Sequence, residues 1–127
     1  MKLFILLSLL SVCYARKEWF DKDPQDVAKW QKECFEASGV SMESMNKLPN
    51  ITLSEDPKLG ENAFCLLKKL GFISEDGTLL IEKLRTSLKN QWGDEIANKL
   101  VNECARQKST PQETAHEMFL CIPAKLK

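Results

Sequence analysis

The chain has 127 residues, with 18 basic and 18 acidic side chains and one histidine, a length that suits one domain and not two. So balanced a charge gives no basic footprint for nucleic acid and no polybasic cluster to hold the protein on anionic lipid. No apolar run in it approaches the roughly 20 residues a membrane-spanning helix needs.

The N-terminus reads as a secretory signal peptide. Lys2 precedes an apolar stretch from Leu3 to Val12, broken only by Ser8 and Ser11, and Cys13 and Ala15 are the small residues that cleavage after Ala15 requires. The expected organisation is therefore a signal peptide over 1–15 and one domain over 16–127. Cleavage would leave 112 residues with 17 basic and 18 acidic side chains, expected to be soluble and extracellular. It would also remove Cys13, turning five cysteines into Cys34, Cys65, Cys104 and Cys121. Four cysteines in a short secreted chain imply two disulfides, with three pairings open. None of them forms a close C-x-x-C pair of the kind zinc sites use, so no metal or cofactor is expected.

Asp23-Pro24 combines an N-cap acceptor with proline at the first helical position, and Asp26 suits the helix dipole. Val27, Trp30, Cys34 and Ala37 then recur at helical spacing, and Gly39 marks the end. Ser41 to Leu48 is a short second helix carrying Met42 and Met45, closed by Pro49-Asn50. Asp56-Pro57 starts a third, with a stripe of Leu59, Ala63, Leu66, Leu67 and Leu70, Phe64 and Cys65 at its edge, and a stop at Gly71. After the Asp76-Gly77 turn, Thr78 is the expected cap of a helix carrying Leu80, Ile81, Leu84, Leu88 and Trp92. Gly93 ends it, and Asp94 opens the next, with Ile96, Ala97, Leu100, Val101 and Cys104 on one side. Thr110-Pro111-Gln112-Glu113 is a capping box before Ala115, Met118, Phe119 and Ile122, and Pro123 is the expected end. Alternating strand patterns and Asn-Gly hairpin turns are missing. The fold expected is a compact all-α domain of five clear helices and one short one.

These features together resemble the insect odorant-binding proteins: six helices, a signal peptide and cysteines at long, characteristic separations. In that family the first cysteine bridges the third, the second the fifth and the fourth the sixth. Cys34, Cys65, Cys104 and Cys121 match the first, third, fourth and sixth, with 30, 38 and 16 residues between them. Glu61 stands where the second would be. The fifth falls at Gln112 counting back from Cys121, or at Glu113 counting forward from Cys104. Loss of one whole bridge is the pattern of the four-cysteine Minus-C subclass. The chemosensory proteins, the other four-cysteine insect carriers, keep their last two cysteines much closer together than Cys104 and Cys121. The resemblance implies the pairing Cys34–Cys65 and Cys104–Cys121. It also implies a six-helix bundle with an internal hydrophobic cavity that carries odorants, pheromones or similar molecules towards a chemosensory receptor, as a monomer or weak dimer.

On that basis the residues expected to line a pocket are Trp30, Phe64, Leu67, Leu80, Leu84, Leu88, Ile96, Leu100, Met118, Phe119 and Ile122, although periodicity alone fits ordinary core packing equally well. Met42, Met45 and Met118 suit an adaptable pocket, because thioethers fill irregular space. Trp19 and Phe20 read as core, or as a clasp at the N-terminus. An enzyme would have to use His116 as its base; no Gly-x-Ser-x-Gly elbow or calcium loop accompanies it, and neighbours such as Glu113 and Glu117 are ordinarily solvated. A non-olfactory secreted carrier, or a binder acting through its surface, stays open. Asn50-Ile51-Thr52 is a glycosylation sequon in an expected surface loop, a tripeptide that also occurs unmodified.

Overall fold

The computed structural model describes residues 19–126; the expected signal peptide, 1–15, lies outside the described residues. Six helices follow in chain order: α1 Pro24–Ser38, α2 Met42–Asn46, α3 Lys58–Leu70, α4 Ile81–Trp92, α5 Asp94–Cys104 and α6 Pro111–Lys125. Among the described residues there is no strand, only an isolated antiparallel bridge between Ile73 and Leu79 flanking the Asp76-Gly77 turn.

Side chains cap three of the six helix starts. Asp23 accepts from the Gln25 N–H at 2.8 Å at the start of α1, Ser41 accepts from Ser44 N–H at 3.1 Å at α2, and Thr110 accepts from Glu113 N–H at 3.1 Å at α6. The box at α6 is half made, because the Glu113 carboxylate accepts from Ser109 Oγ at 2.9 Å. Gly39 and Gly71 close α1 and α3 with φ of 71° and 85°, the left-handed conformation that favours glycine.

Two boundary expectations and one burial expectation differ. Thr78 does not cap α4: its N–H donates to Ser74 Oγ and Asp76 Oδ1 within the turn, and Leu80 precedes the helix. Pro123 does not end α6, which runs to Lys125. The proline sits in the last turn, where its missing N–H loses one ladder bond while Leu126 N–H still reaches the carbonyls of Ile122 and Pro123. Ala37 is exposed, since Val27 and Cys34 alone fill the buried line of α1.

Helix α3 packs on α1 and α6, α4 on α5, and α5 on α6. Gly60 lets α3 and α6 come close, because a Cβ there would lie 2.8 Å from Gln112 Cβ. Cys34 is bonded to Cys65, tying α1 to α3 with Cα atoms 5.6 Å apart, and Cys104 to Cys121, tying α5 to α6 at 5.5 Å. The main core runs through all five long helices, and a smaller cluster of Val40, Ile51 and Leu59 sits beneath the 47–57 segment.

The N-terminal segment is fastened across α4. Ser87 Oγ donates to the Asp21 carboxylate, Asn90 Nδ2 donates to it at 2.8 Å, and Trp92 Nε1 donates to the Trp19 carbonyl at 3.1 Å. Burial works against the ionised Asp21, but these hydrogen bonds outweigh it and keep the carboxyl below its usual range. Trp19 and Phe20 are thereby held inside, edge to face at 4.7 Å, with Phe119 at 5.6 Å from Trp19.

Candidate functional site

A cavity of about 290 Å³ lies between α1, α2, α3, α6 and the N-terminal segment, and ten of its thirteen lining residues are apolar. Trp19 and Phe20 form one end, and Leu59, Ala63 and Leu66 of α3 form a wall. Phe119, Leu120 and Pro123 of α6 form another, with Met45 and Leu48 closing the side by α2. Nothing from α4 or α5 reaches it. Its three polar residues are Gln31, Asn62 and His116, and no Lys, Arg, Asp or Glu lines it.

Helix α2 is only five residues long, too short to persist without tertiary support. Its support is polar: Ser44 Oγ donates to Asp56 Oδ2 at 2.5 Å, which holds the Asp56 carboxyl below the usual range, and Ser41 Oγ donates to Ser44 Oγ at 3.2 Å. This positions Met45 over the cavity. Asn62 Nδ2 donates only to Met45 Sδ at 3.8 Å, and its Oδ1 is shut off from solvent with no donor.

On the far side of α6 an open groove of about 620 Å³ runs beside the 49–57 segment, lined by Pro49, Ile51 and Leu53 but also by Glu61, Glu113 and Glu117. His116 and Leu120 line both spaces and so form the partition between them. His116 is buried, which lowers its pKa below the ordinary imidazole value, with Glu117 partly opposing the shift. The ring is therefore neutral at pH 7. For an apolar guest the smaller, less open cavity is the better host, since the groove is broader and edged with carboxylates.

Of the eleven residues expected to line a pocket, Phe119 alone lines this cavity. Leu67, Leu84, Leu88, Leu100, Met118 and Ile122 are buried to within 1% of complete and belong to the packed core. Trp30 and Phe64 are half-buried against that core from outside, Phe64 beneath Lys68 Nζ at 4.4 Å. Leu80 is half-buried just before α4. Ile96 is a correction: it is 41% exposed, because Ala97, Leu100, Val101 and Cys104 fill the inner side of α5 and leave it at the rim. Of the methionines, Met45 lines the cavity, Met42 is exposed and Met118 is core. Leu48, Leu120, Gln31 and Asn62 carried no sequence signal that set them apart; Leu59, Ala63 and Leu66 did lie on the apolar stripe of α3. Asn50 is exposed.

The structure also settles which residues face each other where α3 meets α6: Gln112 Nε2 donates to Glu61 Oε1 at 3.1 Å, while Glu113 turns to Ser109.

The comparisons with known proteins agree with this architecture. The model of the PBP/GOBP family matches residues 16–125. The B1 protein of Tenebrio molitor is 28% identical over 103 residues, covering 80% of this chain and 79% of its own length. Odorant-binding protein 10 of Aedes aegypti is 28% identical over 98 residues, covering 76% and 70%. Among solved structures, the THP12 carrier protein from the yellow meal worm is 41% identical with a TM-score of 0.57, over 71% of this chain and 84% of that one. The fatty acid binding protein OBP56a from the oral disk of the blowfly Phormia regina shares the fold at 21% identity and a TM-score of 0.58, over 77% and 86%. With its six helices, two disulfides and mostly apolar cavity, the chain belongs to the PBP/GOBP family of insect odorant-binding proteins.

Proposed function

We propose that the protein is a secreted carrier that takes a small hydrophobic ligand out of water into the cavity beside α3 and α6. The observation that carries this is the cavity itself: partly open, mostly apolar, free of charged side chains and about 290 Å³, near the lower bound of small-molecule sites. Burying an apolar guest there gains roughly 25 cal/mol for each Å² removed from water. A surface binder is less well supported, since the large hydrophobic residues exposed among the described residues are only Met42 and Ile96. The similarity to the mealworm carrier and the mosquito odorant-binding protein points the same way.

Secretion through a signal peptide over 1–15, membership of the Minus-C subclass, a monomeric or weakly dimeric state and delivery to a chemosensory receptor belong to the same proposal. So does the absence of catalysis: His116 is the single histidine, and its surroundings are cavity and groove walls rather than an activated nucleophile. The test is displacement of N-phenyl-1-naphthylamine fluorescence. Volatile apolar molecules should compete at micromolar concentration, with one site per chain. Failure of the probe to bind the folded protein would remove the proposal.

A further inference from the structure

Of the polar groups in the cavity, Asn62 is the one with an unmet requirement. Its Oδ1 is buried and receives no hydrogen bond, and the partner of its Nδ2 is a thioether sulfur at 3.8 Å. Sulfur is a weak acceptor, and a buried amide without proper partners is destabilising. The oxygen and nitrogen of an amide exchange places by a half-turn, so either orientation leaves one polar atom unmatched. Leucine at this position would fit the apolar wall without that penalty. His116 lines the same cavity and, being neutral, offers one ring donor and one ring acceptor.

The geometry points to Asn62 as the polar anchor of the cavity, with Met45 as its temporary partner, selecting apolar ligands that carry a hydroxyl group. This rests on the carrier function proposed above and specifies its ligand. A hydroxyl both donates and accepts, so in the place of Met45 Sδ it pairs with whichever amide atom of Asn62 faces the cavity, with His116 as a second polar group on the wall. To reach the amide it takes the place of Met45 Sδ. Methionine has three rotatable bonds and stands on a five-residue helix, so it can move aside without disturbing the core. A carboxylate is disfavoured. No Lys or Arg lines the cavity, the neutral ring supplies at most one donor, and an unpaired buried charge is expensive. An ether or ester brings an acceptor but no proton for Oδ1.

The experiment compares decan-1-ol, methyl nonyl ether and decanoate at pH 8, where decanoate is ionised, each displacing N-phenyl-1-naphthylamine from the full mature chain. Decan-1-ol should bind about five- to tenfold more tightly than the ether, the order one net hydrogen bond supplies, and decanoate should be the weakest of the three. In Asn62→Leu the alcohol-to-ether ratio should fall towards one. Equal binding of alcohol and ether by the natural chain, or decanoate binding best, would overturn the anchor while leaving the carrier function intact. A ratio that survives Asn62→Leu overturns it too. If none of the three displaces the probe, both the anchor and the carrier function fail. Should Asn62→Leu melt early, the ligand order of the natural chain still decides.

Discussion

The two sides of α6 are built differently. Towards α4 and α5, Leu84, Leu88, Leu100, Met118 and Ile122 meet with at most 1% of their surface exposed, and the helices they come from are eleven residues or longer. Towards α1, α2 and α3 the same helix faces a void, closed by a five-residue helix that polar contacts hold in place. Each side has one disulfide, so covalent ties do not make the difference. The supply of apolar side chains does. Where α5 packs on α6 and α4 backs α5, long apolar side chains fill the centre. Where the third wall is short and one inward residue is an amide, the walls cannot meet.

The largest expected effect separates the two sides by truncation. Leu84→Ala should lower stability by about 2–5 kcal/mol, the range for a fully buried leucine whose site cannot collapse. Its affinity for an apolar probe, measured below the unfolding transition, should not change. Met45→Ala removes atoms that already border empty space, so its stability loss should fall below about 1.5 kcal/mol while its ligand preferences shift towards bulkier molecules. Urea unfolding and probe titration of both variants check this. Equal losses would mean that the cavity is as rigidly packed as the core.

That contrast also explains what the sequence could convey. Helix starts and stops were legible because local chemistry writes them: Asp23-Pro24, Gly39, Gly71 and Thr110-Pro111 all act where they stand. Ladder bonds offset the loss at Pro123, and turn hydrogen bonds claim Thr78, so those two boundaries shift. Pocket residues were far less legible. Leu66 and Leu67 are neighbours on one buried stripe, yet Leu66 lines the cavity and Leu67 is fully packed. Periodicity reports that a side chain is inside, not whether it meets another side chain or a void. Trp19 and Phe20 precede the first helix and have no periodicity to place them; the Asp21 and Trp92 bonds across α4 do so.

A second, somewhat smaller effect comes from stapling the boundary between the two sides. Gln112 and Glu61 touch where α3 meets α6, and Gly60 beside them lets the helices come close. The double variant Glu61→Cys, Gln112→Cys should therefore form a disulfide on oxidation and gain up to about 3 kcal/mol over its reduced form. It ties α3 to α6, the two helices that supply most of the cavity lining, so the range of ligands accepted should narrow. Glu61→Cys with Glu113→Cys is the control and should stay reduced, because Glu113 turns towards Ser109. If the bridge forms and the ligand range is unchanged, movement between α3 and α6 is not what admits ligands.

The smallest expected effect concerns the partition between cavity and groove. Burial lowers the pKa of His116 from its ordinary 6.5, so the unfolded chain takes up a proton before the folded one does. Its contribution to stability is complete above about pH 6.5 and is lost as the pH falls from there through the folded value. The carboxyls of Asp21, Asp56 and Asp76 are shifted down from 3.8, so what they contribute is lost only as the pH falls below about that value. Between pH 7 and about pH 5, His116 is the one of these four groups that takes up its proton in the unfolded chain. Urea midpoints of the natural chain should therefore fall over this interval, and those of His116→Gln should fall less. The difference is modest because Glu117 pulls against burial and the groove brings water to one side of the ring. Parallel midpoints in the two proteins would mean that water reaches His116 as freely as in the unfolded chain. The partition would then be open, and cavity and groove would be a single wet space.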